Sequence, residues 1–383
     1  MGPSFFFSGP TQTLQAVDEG ELIEGSLSER EQLLTRVERC LHVGDGKKPR
    51  VVVGAVPFCE HAPVRLFCPS SVQRTGRWSV SSDPARSQPG HAPVSRSASE
   101  RSAHSEPFLS AVRGAVDEIQ RGGLRKVVLS RVRDVPLSQS PNPLRLLRRL
   151  RAKNPHGFTF ALSLREREGE RAGQSGNLLL GASPELLVSR RGGRVVSSPL
   201  AGSTPRSADP SEDARRAAAL FRSAKDRHEH RLVVAQILED LRPFVKDLHF
   251  EREPMLVSTA ALWHLSTRIE GTLRDPHVSS MRLMLALHPT PAVCGTPTAA
   301  ARAFIQNREG FDRGYFTGAL GHVDSNGDGD WIVTIRCAEL GPRGARVFAG
   351  AGIVGNSVAE LELTETNVKM QTMLEALGVE GAL

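Results

Sequence analysis

Apolar residues in this chain fall into two kinds of run. Short β-branched or aromatic runs, bounded by glycine, proline or charge, predict strands. They occur at 50–57 (RVVVGAVP), 126–131 (KVVLSR), 158–164, 178–180, 185–190, and 194–198 after a Gly192-Gly193 turn. Two more, at 330–336 (DWIVTIR) and 346–352 (RVFAGAG), read as a strand pair. Helical spacing of apolar positions predicts helices over 28–41, 108–121, 144–153, 209–244 and a last segment that closes the chain. Ser28, with Glu31 three residues on, has the form of a capping box. Strands outnumber crossover helices, so the pattern predicts a mixed α+β fold with large antiparallel sheets, not a doubly wound parallel one. No repeat recurs at a fixed period. From 74 to 107 the chain turns to Ser, Arg, Pro and His with few apolar residues, which predicts a mobile surface loop. Nothing upstream forms an independent core, so that loop is not taken as a domain boundary.

Composition narrows the class. The chain has 383 residues, 39% hydrophobic and 24% charged, enough for a large core. No apolar run approaches the roughly 18 residues of a membrane span. The start, MGPSFFF, lacks the basic and long apolar regions of a secretory signal. Five scattered cysteines with no CxxC pair argue against a disulfide framework and for a reducing, cytoplasmic compartment. Cys337, ending a strand-like run, reads as a buried small hydrophobe.

The net charge of +7 raises nucleic acid as a partner. The basic residues are mostly dispersed arginines. The densest cluster, LRLLRRLRAK at 144–153, spaces its leucines as the inner face of a helix. One tyrosine and three tryptophans offer few surfaces for stacking bases. Neither a nucleic-acid nor a membrane partner is expected. A non-catalytic basic binding protein is the competing reading from another class.

Candidate chemistry gathers near the C-terminus, in ELTETNVK at 362–369. Glu362 and Glu365 are three apart and Lys369 four further on, so all three share one helix face. Asp226 and Glu229, in KDRHEH at 225–230, repeat the acidic spacing. Two such faces could clamp one hard divalent cation such as Mg²⁺, which takes oxygen ligands. His228 and His230 lie at i, i+2 and face different sides, unlike a zinc pair, so at least one is structural. Two strings are decoys. GAGIVG at 350–355 has no βαβ unit around it, so its glycines are read as letting backbone amides approach a substrate carboxylate. DSNGDGD at 324–330 lacks the acid of a calcium loop, with Ile335 at the twelfth position, and is read as a hairpin turn.

These strings, with others, carry a resemblance. KVVLSR (126–131), ASPEL (182–186), PLAGS (199–203), KDRHEH (225–230), LWHL (262–265), HPTP (288–291), FDR (311–313), WIVTIRC (331–337), AGAGI (349–353) and the ETxxK of 365–369 keep order and spacing. The chain resembles the chorismate-utilising enzymes, most of all the isochorismate synthases of siderophore and menaquinone pathways. The match covers residues from about 105 onward; the N-terminal third matches loosely, chiefly through Phe5, Phe6 and Phe7.

The resemblance implies a single large domain over 1–383, of two packed antiparallel β-sheets flanked by helices with the site in a deep cleft. Residues 1–105 would be its less typical N-terminal part and 106–383 its catalytic core. It implies Mg²⁺-dependent addition of water at C2 of chorismate with loss of the C4 hydroxyl. Lys126 matches the general base, which requires a lowered pKa, and Glu185 the general acid, which requires a raised one. His264 would orient the leaving hydroxyl. Glu229 and Glu365 match direct metal ligands, and Asp226 and Glu362 carboxylates acting through water. Arg336 would grip the enolpyruvyl carboxylate, with Gly202, Ser203, Gly350 and Lys369 completing the substrate contacts. Lysine at 126 implies water rather than ammonia as nucleophile, hence no glutaminase subunit, and the family resemblance suggests a monomer. A salicylate synthase, which goes on to eliminate pyruvate, is the alternative within the family.

Overall fold

The computed structural model describes residues 3–42, 50–79, 98–137, 139, 141–164, 178–342 and 344–379. Among them, two nine-stranded antiparallel sheets pack face to face. The first runs, edge to edge, Gly295–Thr296, Lys126–Pro136, Gly344–Ile353, Cys337–Gly341, Leu178–Ser183, Phe158–Ser163, Phe5–Ser8, Gln12–Ala16 and Gln73–Gly76. The second runs Val245–Phe250, Ile269–Leu273, Arg194–Ser198, Leu186–Arg191, Gly329–Val333, Ala319–Asp324, Val51–Val56, Arg65–Cys68 and Glu21–Ile23. A smaller sheet holds Leu200–Pro205, Leu262–Ser266 and Met255–Ser258.

The two-residue period of a strand explains the layering. Phe5 and Phe7 point into the space between the sheets, against Val51, Val53, Ala55 and Ile332, while Phe6 turns outward to Leu146 and Leu150. Val52 and Val56 likewise face the outer layer. That layer is helical. Arg30–His42, Ala224–Leu241 and Ser280–Leu287 cover the second sheet, and Pro143–Lys153 and Ala359–Leu377 cover the first. Ala98–Gln120 and Thr298–Arg308 cover the end of the first sheet formed by Lys126–Pro136 and Gly344–Ile353. This is the α+β architecture that the sequence implied.

Four local expectations need correction. The helix expected over 209–244 is two helices, Pro210–Arg222 and Ala224–Leu241, parted at Ser223. Ser223 is extended and its hydroxyl accepts from the Asp226 N–H, an N-cap that starts the second helix. The runs at 330–336 and 346–352 do not pair. Gly329–Val333 lies in the second sheet between Leu186–Arg191 and Ala319–Asp324, and Gly344–Ile353 lies in the first. The chain changes sheets at residues 334–336. Of the loop expected over 74–107, Gln73–Gly76 is an edge strand and Ala98 begins a helix that takes in Pro107; alanine, glutamate and arginine there support helix. Residues 80–97 of that loop lie outside the described residues. Ser28 caps nothing: a 3₁₀ turn, Leu27–Glu29, occupies that position, and the Ser28 hydroxyl meets that of Ser26 at 2.7 Å. The hairpin at 324–330 forms as expected, with Asp324 Oδ1 accepting from the Asn326 and Asp328 amides.

Candidate active site

The cleft opens where the first sheet loses a partner. Strand Gly344–Ile353 pairs with Cys337–Gly341 only as far as Val347, whereas its other edge follows 127–136 throughout. Beyond Val347 its free edge forms a wall, with Phe348, Ala349, Gly350 and Gly352 lining a cleft of about 640 Å³ counted with its open mouth. Glu185, Gly202, Ser203, Glu229, His264, Arg336, Glu365 and Lys369 line the same cleft. Residues scattered across 185–369 in sequence thus meet in one place.

Both acid pairs sit near helix N-termini. Asp226 and Glu229 open Ala224–Leu241; Glu362 and Glu365 fall in the first two turns of Ala359–Leu377. Unpaired amides and the helix dipole favour carboxylates there. Each carboxylate in contact with a cation meets a different lysine. Lys126 Nζ lies 3.0 Å from Glu229 Oε1, Lys225 Nζ 2.6 Å from Glu362 Oε1, and Lys369 Nζ 2.5 Å from Glu365 Oε1. Lys126 is fully buried on strand Lys126–Pro136, behind the Glu229 wall, and its ammonium has no well-aligned hydrogen-bond acceptor. Burial pushes Glu362 and Asp226 upward. Burial also acts upward on Glu365, but Lys369, Lys225 and the Ser203 hydroxyl outweigh it and hold that carboxyl low. Ser203 Oγ donates to Glu365 Oε1 at 3.1 Å.

Glu185 follows strand Leu178–Ser183 and is 3% exposed. Burial raises its pKa to about 7, against the Leu200 amide and the charges of Lys126, Arg336 and Lys369. His264 is buried opposite Ser203 in the small sheet and is held neutral by burial and by Arg336 and Lys369. Its Nε2 is 3.5 Å from Arg336 Nη2. Burial lowers Arg336 to about 10, opposed by Glu365 and Glu185. Arg336 stands at the crossing between sheets with φ of 52°, and Thr317, also lining the cleft, has φ of 61°. Left-handed backbone costs energy in such residues; of the three non-glycine instances among the described residues, these two line the cleft and Asp247 does not. Gly202 has φ of 81°, and a Cβ there would strike Asp226 Cβ at 2.9 Å. Gly350 accepts at its carbonyl from Lys369 Nζ at 2.9 Å.

Of the two adjacent histidines, His228 is exposed and His230 is buried with Nε2 2.7 Å from Thr267 Oγ1, a structural role. Sequence reasoning missed Thr317 and Lys225, and gave Gly352 a role only through its backbone amide. A Cβ at Gly352 would lie 2.0 Å from Glu229 Oε1 and 3.2 Å from Lys126 Cε, so only glycine lets that pair reach the cleft wall. The alternation of Gly350 and Gly352 within a strand was the available signal, since both must face one way. Glu309 and Arg313 were missed as well: Arg313 donates to the carbonyls of Val128 and Val293, and Glu309 Oε1 accepts from the Ser130 amide, clamping the strand that carries Lys126.

A hard divalent cation fits the donor types, four carboxylates on two helix starts beside one cleft. Among the described residues, no three acidic, histidine or cysteine side chains converge on a common point; lysines meet three of the four carboxylates.

Comparison with known proteins places this geometry in a lineage. The family model for chorismate binding enzymes matches residues 65–378. The chain belongs to that family. Isochorismate synthase DhbC of Bacillus subtilis (strain 168) is 44% identical over 98% of this chain and 94% of its own length. The vibriobactin-specific isochorismate synthase of Vibrio cholerae is 39% identical over 98% of this chain and 92% of its own. Among solved structures, DhbC from Bacillus anthracis superposes with a TM-score of 0.87 at 42% identity, covering 99% of this chain and 97% of the other. This member of the chorismate-binding family thus keeps the family fold along nearly its whole length. Among the described residues no helix is long and apolar enough to cross a membrane.

Proposed function

We propose that this chain converts chorismate to isochorismate, adding water at C2 as the C4 hydroxyl leaves. The observation that carries the proposal is a cleft lined by a carboxyl whose pKa burial holds near 7, with a buried lysine directly behind its Glu229 wall. Such a pair suits a displacement that needs a base at one carbon and an acid at another. In the proposed reaction Lys126, as the neutral amine, takes a proton from the attacking water. The O–C2 bond forms, the ring double bonds shift, and the C4–O bond breaks. Glu185 gives its proton to the departing hydroxyl, which leaves as water. His264 orients that hydroxyl while neutral. Arg336 and Lys369 pair with the substrate carboxylates, flanked by Gly202, Ser203 and Gly350.

Glu229 and Glu365 would hold Mg²⁺ directly, with Asp226 and Glu362 acting through water. When bound, the ion neutralises the ring carboxylate. Water as nucleophile requires no glutaminase subunit, and the chain is proposed to act as a monomer in the cytoplasm. The product would feed siderophore assembly, through 2,3-dihydroxybenzoate or salicylate, or menaquinone synthesis.

The test is incubation with chorismate and Mg²⁺, with and without EDTA, and chromatography of the products. Isochorismate formed only without EDTA is expected. Salicylate and pyruvate as main products would replace the assignment with salicylate synthesis, and turnover indifferent to EDTA would remove the metal.

A further inference from the structure

Away from the cleft, a second buried polar cluster takes no part in this chemistry. Cys40, near the end of helix Arg30–His42, and Cys68, the last residue of strand Arg65–Cys68, are each 1% exposed. Both sulfurs face one guanidinium, that of Arg50. Arg50 donates from Nε to Cys68 Sγ at 3.2 Å, and its Nη2 lies 3.9 Å from Cys40 Sγ. Nη2 also donates to Glu21 Oε2 at 3.1 Å, which fixes the guanidinium from outside. That outer side is open, with the Arg50 and Glu21 side chains 28% and 50% exposed. A guanidinium aimed at two sulfurs is wasted on thiols packed as small hydrophobes; it suits a thiolate. The other buried cysteines lack it. Cys294 and Cys337 offer their thiols to the carbonyls of Thr298 and Thr334, at 3.7 and 3.8 Å, and burial raises both, Cys294 to about 11.

We infer that Cys40 and Cys68 form a hydroperoxide-reactive dithiol that closes to an intramolecular disulfide. The neighbouring Cys40, and then Arg50, work against burial to bring the Cys68 thiol down to about 6, while Cys40 keeps its proton. Cys68 is therefore the nucleophile. Its thiolate attacks one peroxide oxygen. The S–O bond forms, the O–O bond breaks, and hydroxide leaves to take a proton as water. Cys68 is then a neutral sulfenic acid, and Arg50 is left beside Cys40. Cys40 attacks the Cys68 sulfur, and its proton passes to the departing hydroxyl. The S–S bond forms and the second oxygen leaves as water, so two thiols and one hydrogen peroxide give one disulfide and two waters. The link staples the outer helix to the strand that pairs with Glu21–Ile23 at the edge of the second sheet.

The test treats the reduced full chain with hydrogen peroxide, blocks free thiols, and maps peptides by mass spectrometry without reductant. The expected result is a Cys40–Cys68 cross-linked peptide, lighter than its parts by two hydrogen atoms. It should form before any oxidation at Cys59, Cys294 or Cys337 and revert with dithiothreitol. Oxidation of half-buried Cys59 first, or of Cys68 to sulfinic acid without a cross-link, overturns the inference. In Cys40→Ser the sulfenic acid should persist on Cys68 and be captured by dimedone; its absence there also overturns the inference. The measurement on the unaltered chain stands whether or not that variant folds.

Discussion

Gly352→Ala would test the geometry of the site with one methyl group. Gly352 lies in a regular strand, so alanine meets no backbone strain there. What it meets is the Glu229 carboxylate: its Cβ would lie 2.0 Å from Oε1 and 2.7 Å from Cδ. Real Cβ contacts do not fall below 3.0 Å, so Oε1 must retreat by at least 3.0 − 2.0 = 1.0 Å, and Lys126, 3.2 Å from the new methyl at Cε, is confined with it. A misplacement of about 1 Å in a catalytic array costs about 100-fold in rate. At 1.36 kcal/mol per tenfold, that is about 2.7 kcal/mol of lost transition-state stabilisation. Folding should suffer less, because the clash falls on the end of a side chain beside a cleft. A loss below about 1 kcal/mol corresponds to a fall in Tm of less than roughly 1–2 °C in a chain of this size. The assay is kcat/KM for chorismate at saturating Mg²⁺, with Tm measured on the same preparation. Gly355→Ala is the control, since its nearest contact would be Ile119 Cγ2 at an ordinary 3.5 Å, and it should change neither quantity. Parental kcat/KM in Gly352→Ala with an unchanged Tm would refute the placement of Glu229 and Lys126 at the reaction.

Lys126→Ala should lower kcat by about 10²- to 10⁴-fold while calorimetry still detects chorismate binding; full turnover would remove Lys126 as base. Glu185→Gln should lose kcat by a similar factor, and in the parent turnover should decline as pH rises through about 7, where the acid gives up its proton. The same group affects stability. Its folded pKa of about 7 lies above its ordinary 4.5, so its contribution is complete below 4.5 and lost as pH rises through 7. The difference of 2.5 corresponds to about 3 kcal/mol. Glu185→Gln should therefore be more stable than the parent at pH 8 by up to that amount and equal to it below pH 4.5; unfolding midpoints that track each other across this range would contradict the burial argument. Glu309→Gln leaves Arg313, 3% exposed, without its buried partner, and should cost about 3–5 kcal/mol by denaturant unfolding; a change under about 1 kcal/mol would show that the carbonyls bound to Arg313 suffice.

The layered sheets were legible because β-branched runs such as 51–56 and 126–131 carry their own signal, as does the hairpin at 324–330. What depended on contacts between distant segments was not. Ser223 looked like one more polar residue on a long helix, and only its bond to the Asp226 amide shows it to be a cap. The runs ending at Arg336 and beginning at Arg346 looked like hairpin partners, although three residues between Val333 and Cys337 carry the chain from one sheet to the other. The acids, Lys126 and Arg336 were found through residue type, spacing and resemblance. Lys225, and the packing of Gly352 against Glu229, escaped notice because their importance lies in what they touch. Lys225 stood inside a recognised motif, but nothing in the sequence tied it to Glu362, far along the chain.

The lysines among the carboxylates have a consequence for the order of events. Before Lys126 gives up the proton it must lose to act as the base, and with Glu185 protonated and His264 neutral, Lys126, Lys225, Lys369 and Arg336 balance Asp226, Glu229, Glu362 and Glu365, four formal charges against four. The resting cleft is electroneutral. A dication arriving by itself would leave an excess of two positive charges, and a dicarboxylate arriving by itself an excess of two negative ones. Only the two together restore neutrality, so each should tighten the other's hold by the same factor, as reciprocity between linked sites demands. In the proposed reaction the protein's own ammonium groups thereby favour joint binding of Mg²⁺ and substrate over either alone.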